Sequence, residues 1–231
     1  MIIRNISFDF DLSIEEDHVS SILAEPPELF ARIVQSFSAM EAGETTPETF
    51  LILDGEKQID PQKQLIVIAD PFHVDVNSRK NLSLLYGELT RRMMSEPAKL
   101  NAWEKLMIQA EEIVEQITGD LTADIYPGNI LPFSSFLKET GVRFEFAEKS
   151  DFKDRISDMM HLIAEFMPQK LLVLCNIAAY CNENDWYEMM KTACYLKVKV
   201  LNIETKLPEK PYEHEIRWII HSDFNDEIVK G

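Results

Sequence analysis

Leu65-Ile-Val-Ile-Ala-Asp70 sets five apolar residues in a row before an acid, and this run decides the fold class. A strand with one wet face alternates apolar and polar residues. An unbroken apolar run belongs to a strand covered on both faces, as in a largely parallel sheet. Leu171-Leu-Val-Leu-Cys175 repeats the pattern, and Val198 to Ile203 supplies a third strand. Asp151 to Met167 and Asp185 to Leu196 carry helical spacing around them. Strand, helix, strand order calls for crossover connections and a sheet with helices on its faces, an α/β fold.

Outward from that core, Met1 to Phe10 alternates like a strand and His18 to Ala24 gives a short apolar run. Pro26-Pro27 then opens a helix with Leu29, Phe30, Ile33, Val34 and Phe37 at helical spacing, closed by Gly43. Phe50 to Leu53 reads as a strand turning at Asp54-Gly55, and Ile216 to Ile220 as an edge or closing strand. The middle is helical. Asn77-Ser78 caps a helix bearing Leu82, Leu85, Leu89 and Met93. Pro97 begins another, whose stripe runs from Leu100 and Trp103 to Ile117 before Gly119. Trp103 and Met107 there, like Met159 and Met160 further on, read as core or helix-pair packing. Leu131 to Thr140 is a further helix, and Val142 to Phe146 alternates as a strand. The expected organisation is an α/β domain of residues 1–76 and 168–231, with a helical domain, 77–167, inserted in it.

With 45% hydrophobic and 10% aromatic residues in 231, the chain can bury a sizeable core. No apolar run approaches the ~18 residues of a membrane span. Met1-Ile-Ile-Arg-Asn5 lacks the basic and apolar regions of a secretion signal. Cys175, Cys181 and Cys194 are an odd number with no CxxC spacing, which argues against a disulfide framework or zinc site and fits a reducing cytoplasm. Net charge is -17, from 40 acidic and 23 basic residues, a balance that speaks against a nucleic-acid surface unless the basic residues cluster. They do. Arg79 to Lys105 holds six basic residues (Arg79, Lys80, Arg91, Arg92, Lys99, Lys105) against three acidic ones, so this segment is +3 and the remainder -20.

Asp70 ends a buried strand as the metal-holding aspartate of nucleotide-binding folds does. The chain has only seven glycines, however, and none of the spacings that cradle phosphate. No Gly-x-Ser-x-Gly elbow occurs, and the five histidines share no motif with a serine or cysteine. Cys175 reads as a small core hydrophobe, and His73-Val-Asp75 as a hydrogen-bonding pair in a loop. Asp120, Asp124 and Asn129 offer oxygen ligands without EF-hand spacing. Lys80 and Arg91 share a side of one helix, where positive side chains gain phosphate affinity by releasing counterions.

Four blocks in order carry a resemblance. They are Phe30-Ala-Arg-Ile-Val-Gln35; Leu65 through Asp75-Val-Asn-Ser78; Leu137-Lys-Glu-Thr-Gly-Val-Arg-Phe-Glu145; and Lys170-Leu-Leu-Val-Leu-Cys-Asn176 through Val198-Lys-Val-Leu-Asn-Ile-Glu204. Together they resemble the ring-forming accessory protein of type II-A CRISPR adaptation modules. The resemblance implies a head like a P-loop nucleotide-binding fold without a functional phosphate loop, plus a helical leg. It implies a homotetrameric ring that holds double-stranded DNA ends without sequence preference and is not an enzyme. The implied partners are the CRISPR integrase proteins and the effector nuclease. Arg32, Lys138 and Lys170 match basic positions of the family's motifs, whereas Arg79, Lys80, Arg91 and Arg92 come from charge clustering. Family members bind calcium through an acidic segment after the long helix, where this chain retains Asp120 and Asp124. Two alternatives stand beside this reading. One is a degenerate nucleotide- or metal-dependent hydrolase using Asp70 and Asp75, and the other a scaffold that recognises partners through its acidic surface.

Overall fold

The computed structural model describes residues 1–119, 131–145 and 151–231. The chain divides into two compact units, Met1–Val74 with Phe146–Gly231, and Asp75–Glu145. The first unit opens with β1 (Ile2–Asn5), β2 (Leu12–Ser13) and β3 (Val19–Ala24), then α1 (Pro27–Ala42), β4 (Phe50–Asp54), β5 (Lys57–Gln58), α2 (Pro61–Gln64) and β6 (Leu65–Ile68). The second unit holds α3 (Arg79–Ser95), α4 (Pro97–Thr118) and α5 (Phe133–Glu139). The chain then returns to the first unit with α6 (Phe152–Phe166), β7 (Leu171–Cys175), α7 (Glu183–Tyr195), β8 (Lys199–Glu204), β9 (Glu215–Ile220) and β10 (Asp226–Lys230).

A six-stranded sheet, β10-β9-β3-β8-β7-β6, forms the centre of the first unit. Its strands are parallel except β10. Every residue of β7 is buried, as its unbroken apolar run requires. Side chains alternate between the faces. Leu171, Val173 and Cys175 face a core shared with Leu29, Ile33 and Phe37 of α1, and with Ile3, Phe50 and Ile52 of a smaller antiparallel sheet, β2-β1-β4-β5. On the opposite face Asn202 of β8 reaches Met190 of α7, and α6 packs beside α7. Pro27 suits the first turn of α1, where a backbone N–H has no partner to lose. Gly43 ends that helix at φ 74°, and a side chain there would run into Gln62.

Three expectations are corrected. The helix 152–166 belongs to the first unit, not the insertion: Ile156, Met160 and Ile163 are fully buried, and a capping box of Asp151 and Asp154 starts it. Strand β9 is internal, because Asp226–Lys230 pairs along its other side as the true edge. Val142 to Glu145 forms no strand. Its backbone is satisfied by side chains instead: Asn77 exchanges both amide bonds with Phe144 (3.1 and 3.0 Å), and the Tyr86 hydroxyl donates to the Val142 carbonyl at 2.8 Å.

In the second unit Trp103 packs edge-on to Phe133 and tilted against Phe136, tying α4 to α5. Beyond that cluster the α4 stripe is exposed, including Leu106, Ile113, Val114 and Ile117, and no residue of this helix is buried. Among the described residues no helix is long and apolar enough to cross a membrane.

Candidate nucleic-acid interface

The acidic surplus is unevenly shared. The first unit holds 15 basic and 29 acidic residues, net -14, and the second 8 and 11, net -3. The basic side chains of the second unit begin where α3 begins. Ser78 caps that helix by accepting from the Asn81 N–H at 3.3 Å, and the Asn81 amide donates to the Val76 carbonyl at 3.1 Å. These bonds fix the entry of the chain and set Arg79 and Lys80 in the first helical turn. Cations there oppose the helix dipole, so they add nothing to helix stability. Two positive side chains beside unpaired helix N–H groups instead build a field that favours an anion. Neither Arg79 nor Lys80 has an ion-pair partner among the described residues.

Arg79 also lines a groove of about 690 Å³ between α3 and α5. Lys138, from the last turn of α5, stands on the same groove with Ser83, Tyr86, Ser134 and Ser135. Gly87 leaves its floor open, with nothing near the position a Cβ would take. The groove therefore offers two cations flanked by hydroxyl donors, a combination suited to phosphate oxygens. Sequence reasoning found both cations, one from clustering and one from the family motif. It missed the serines, which carry no signal until α5 is laid beside α3.

Arg91 and Arg92 are less available than clustering suggests. Both bind Glu88 of their own helix: Arg91 as a fork, Nε at 2.7 Å and Nη2 at 2.6 Å, and Arg92 through Nε at 2.7 Å. These hydrogen bonds hold the Glu88 carboxyl down to about 2, so it stays ionised across the working pH range. Lys99 is likewise tied to Glu96 at 2.6 Å.

In the first unit, Arg32 is exposed on α1 and pairs with Glu48. Lys170 was expected on a phosphate-binding surface, and its burial argues otherwise. Only 6% of it is accessible, and its ammonium donates to the Lys63 carbonyl at 2.7 Å. A buried ammonium held by backbone has no route to a phosphate. The expected calcium ligands Asp120 and Asp124 lie outside the described residues.

The groups proposed for hydrolysis do local structural work. Asp70 accepts from the Phe72 N–H at 3.0 Å and binds His73 at 2.6 Å, so the partner of His73 is Asp70 and not Asp75. Asp75 accepts from the Asn77 N–H at 3.0 Å. The likeness to a phosphate-loop fold finds no support between β3 and α1, where Glu25-Pro26-Pro27-Glu28 stands. Two prolines withdraw two N–H donors there, and two carboxylates carry the wrong charge for phosphate. Burial pushes the Cys175 thiol up to about 12, the state of a core residue and not a nucleophile.

Residues 44–224 match the profile of the CRISPR-associated protein family Cas_Csn2. The chain is 21% identical over 203 residues to the CRISPR-associated protein Csn2 of Enterococcus faecalis, an overlap of 84% of this chain and 92% of that protein. Its fold is similar to the crystal structure of Stu0660 of Streptococcus thermophilus, with a TM-score of 0.64 at 16% identity, covering 96% of this chain and 75% of that one. At that identity the likeness speaks to the α/β fold alone.

Proposed function

Because the chain belongs to the Csn2 family of CRISPR-associated proteins, and so has a role in the CRISPR system, we propose that it binds the ends of double-stranded DNA without reading sequence. In this reading it is an accessory factor in spacer acquisition and performs no chemistry. The observation that carries the reading is the groove in which Arg79 and Lys138 meet among serines, beside Lys80 at the start of α3. Contacts of this type go to phosphate and sugar, and they position a duplex without specifying its bases. Arg32, Arg91 and Arg92 extend the set, the last two after exchanging Glu88 for phosphate.

The exposed stripe of α4 supports self-association, because Leu106, Ile113, Val114 and Ile117 offer an apolar face that a second copy could cover. Four copies closing into a ring would surround the duplex. Calcium, held through Asp120 and Asp124, is part of the same proposal, as are cytoplasmic location and partnership with the CRISPR integrase proteins and the effector nuclease. The local backbone bonds of Asp70, as a cap, and of Asp75, in a turn, weigh against the hydrolase alternative.

The test compares linear duplex with the same DNA as a relaxed closed circle, with and without calcium. A ring that threads over ends binds the linear form in preference to the circle. Equal binding to both refutes threading and leaves an open basic groove. Binding to neither refutes the proposal and turns attention to the acidic first unit as a protein-binding scaffold.

A further inference from the structure

At one end of the first unit's six-stranded sheet, two histidines and two carboxylates converge. Strands β3 and β9 run parallel with Val19 opposite Glu215, and the Val19 N–H donates to the His214 carbonyl at 2.8 Å. That register sets His18 beside His214, the residues just before each strand, with ring centres 5.5 Å apart and edge to face. Glu15 and Asp17 arrive on the connection from β2. The His18 Nδ1 lies 3.0 Å from Asp17 Oδ1 and 3.9 Å from Glu15 Oε2. One donor atom from each of Glu15, Asp17 and His18 falls within 4.8 Å of the other two.

Neighbouring bonds select which atoms face the centre. The other Glu15 oxygen, Oε1, is occupied by the Ser13 hydroxyl at 2.8 Å. Glu16 is drawn away to Lys199 at 3.1 Å. An imidazole nitrogen and two carboxylate oxygens pointing at one spot need a cation between them, either the Nδ1 proton or a metal. All four side chains are at least one-third accessible, so an ion can enter from solvent.

We propose that Glu15, Asp17 and His18, with His214 swinging in as fourth ligand, form a binding site for a divalent transition-metal ion such as zinc. Donor atoms around a tetrahedral zinc sit ~3.4 Å apart, given bonds of about 2.1 Å, and the two distances from His18 Nδ1, 3.0 and 3.9 Å, lie either side of that value. Imidazole nitrogens favour zinc and its neighbours over calcium, which takes six to eight oxygens. Two carboxylates and two neutral imidazoles leave the occupied site without net charge.

The experiment is titration of the untagged full chain with cobalt(II), read by its visible ligand-field absorption, followed by displacement with zinc. One cobalt per chain is expected, displaced by one equivalent of zinc and untouched by calcium. His18→Ala and Asp17→Asn should abolish the absorption, and His214→Ala should weaken binding about tenfold or more. These side chains lie at the surface, so circular dichroism of each variant should match the parent. Asp120→Asn with Asp124→Asn should leave the signal unchanged, separating this site from any calcium site. Absence of cobalt binding, or binding undiminished in either histidine variant, overturns the assignment.

Discussion

Glu204 ends β8 with no accessible surface, and its carboxyl is a measurable pH sensor of folding. Burial pushes it up from 4.5 to about 8, against the opposing pull of the Ala178 and Ile177 N–H groups, and the charge of Glu215 adds to the rise. The two backbone bonds are 3.2 and 2.8 Å long. Between pH 4.5 and 8 the folded protein keeps a proton that the unfolded chain has released. Stability from this group is present in full below pH 4.5 and is lost as pH rises through 8, at ~1.4 kcal/mol per pH unit. The whole interval amounts to about 5 kcal/mol at most, a large share of a typical folding free energy. Glu204→Gln removes the titration. Its amide cannot accept from both N–H groups, so the variant should start about 1 kcal/mol below the parent near pH 5. The curves should then converge and cross near about pH 6, with the parent falling about 3 kcal/mol below the variant by about pH 8. Urea unfolding at each pH gives both curves. His221, raised by its bonds to Glu25 and Glu227, loses stability in the same direction, but it is intact in both proteins and cancels in the difference. Parallel pH profiles for parent and variant would falsify the assignment of Glu204 as a neutral buried acid.

Other expectations follow from the same side chains. Arg79→Ala with Lys138→Ala should flatten the dependence of log affinity on log salt by ~1.8, at ~0.9 for each phosphate no longer neutralised; an unchanged slope in a filter-binding or anisotropy series places DNA elsewhere. Glu88→Gln removes the carboxylate that Arg91 grips as a fork and should tighten DNA binding several-fold at low salt, an effect that mild acid cannot mimic in the parent because the carboxyl sits at about 2. Arg217→Met strands the Glu215 carboxylate, now 2.8 Å from Arg217 with side chains 5% and 0% accessible, and should cost ~3–5 kcal/mol by chemical denaturation. Adding Glu215→Gln should recover most of that loss. If the single and double variants unfold alike, the pair is not the stabilising unit.

Legibility in the sequence tracked how local each signal was. Leu171–Cys175 reads as a covered strand because burial on both faces leaves no polar alternation, and Leu65–Ile68 carries the same apolar run although, at the sheet's other edge, Ile66 and Val67 are only half-buried. Pro27 and Gly43 marked the ends of α1 through backbone chemistry that belongs to those residues alone. Strand β10 was not legible, since Asp226-Glu-Ile-Val-Lys230 has the polarity of an exposed edge. Val142 to Glu145 alternates like a strand, yet a side-chain amide from Asn77 takes the place of a ladder partner.

Among the charged residues, Lys138 and Lys170 look equivalent in sequence, both supplied by a family motif. One stands on an open groove and the other is buried on the Lys63 carbonyl. His18 and His214 lie 5.5 Å apart only because β3 and β9 pair in parallel with a particular register. By itself, then, the sequence determined the buried strands, the long helices and the family, through apolar spacing and ordered motifs. The tertiary structure alone decided which charges are free, paired or buried, because the field at a side chain is set by neighbours that long-range strand pairing and helix packing bring to it.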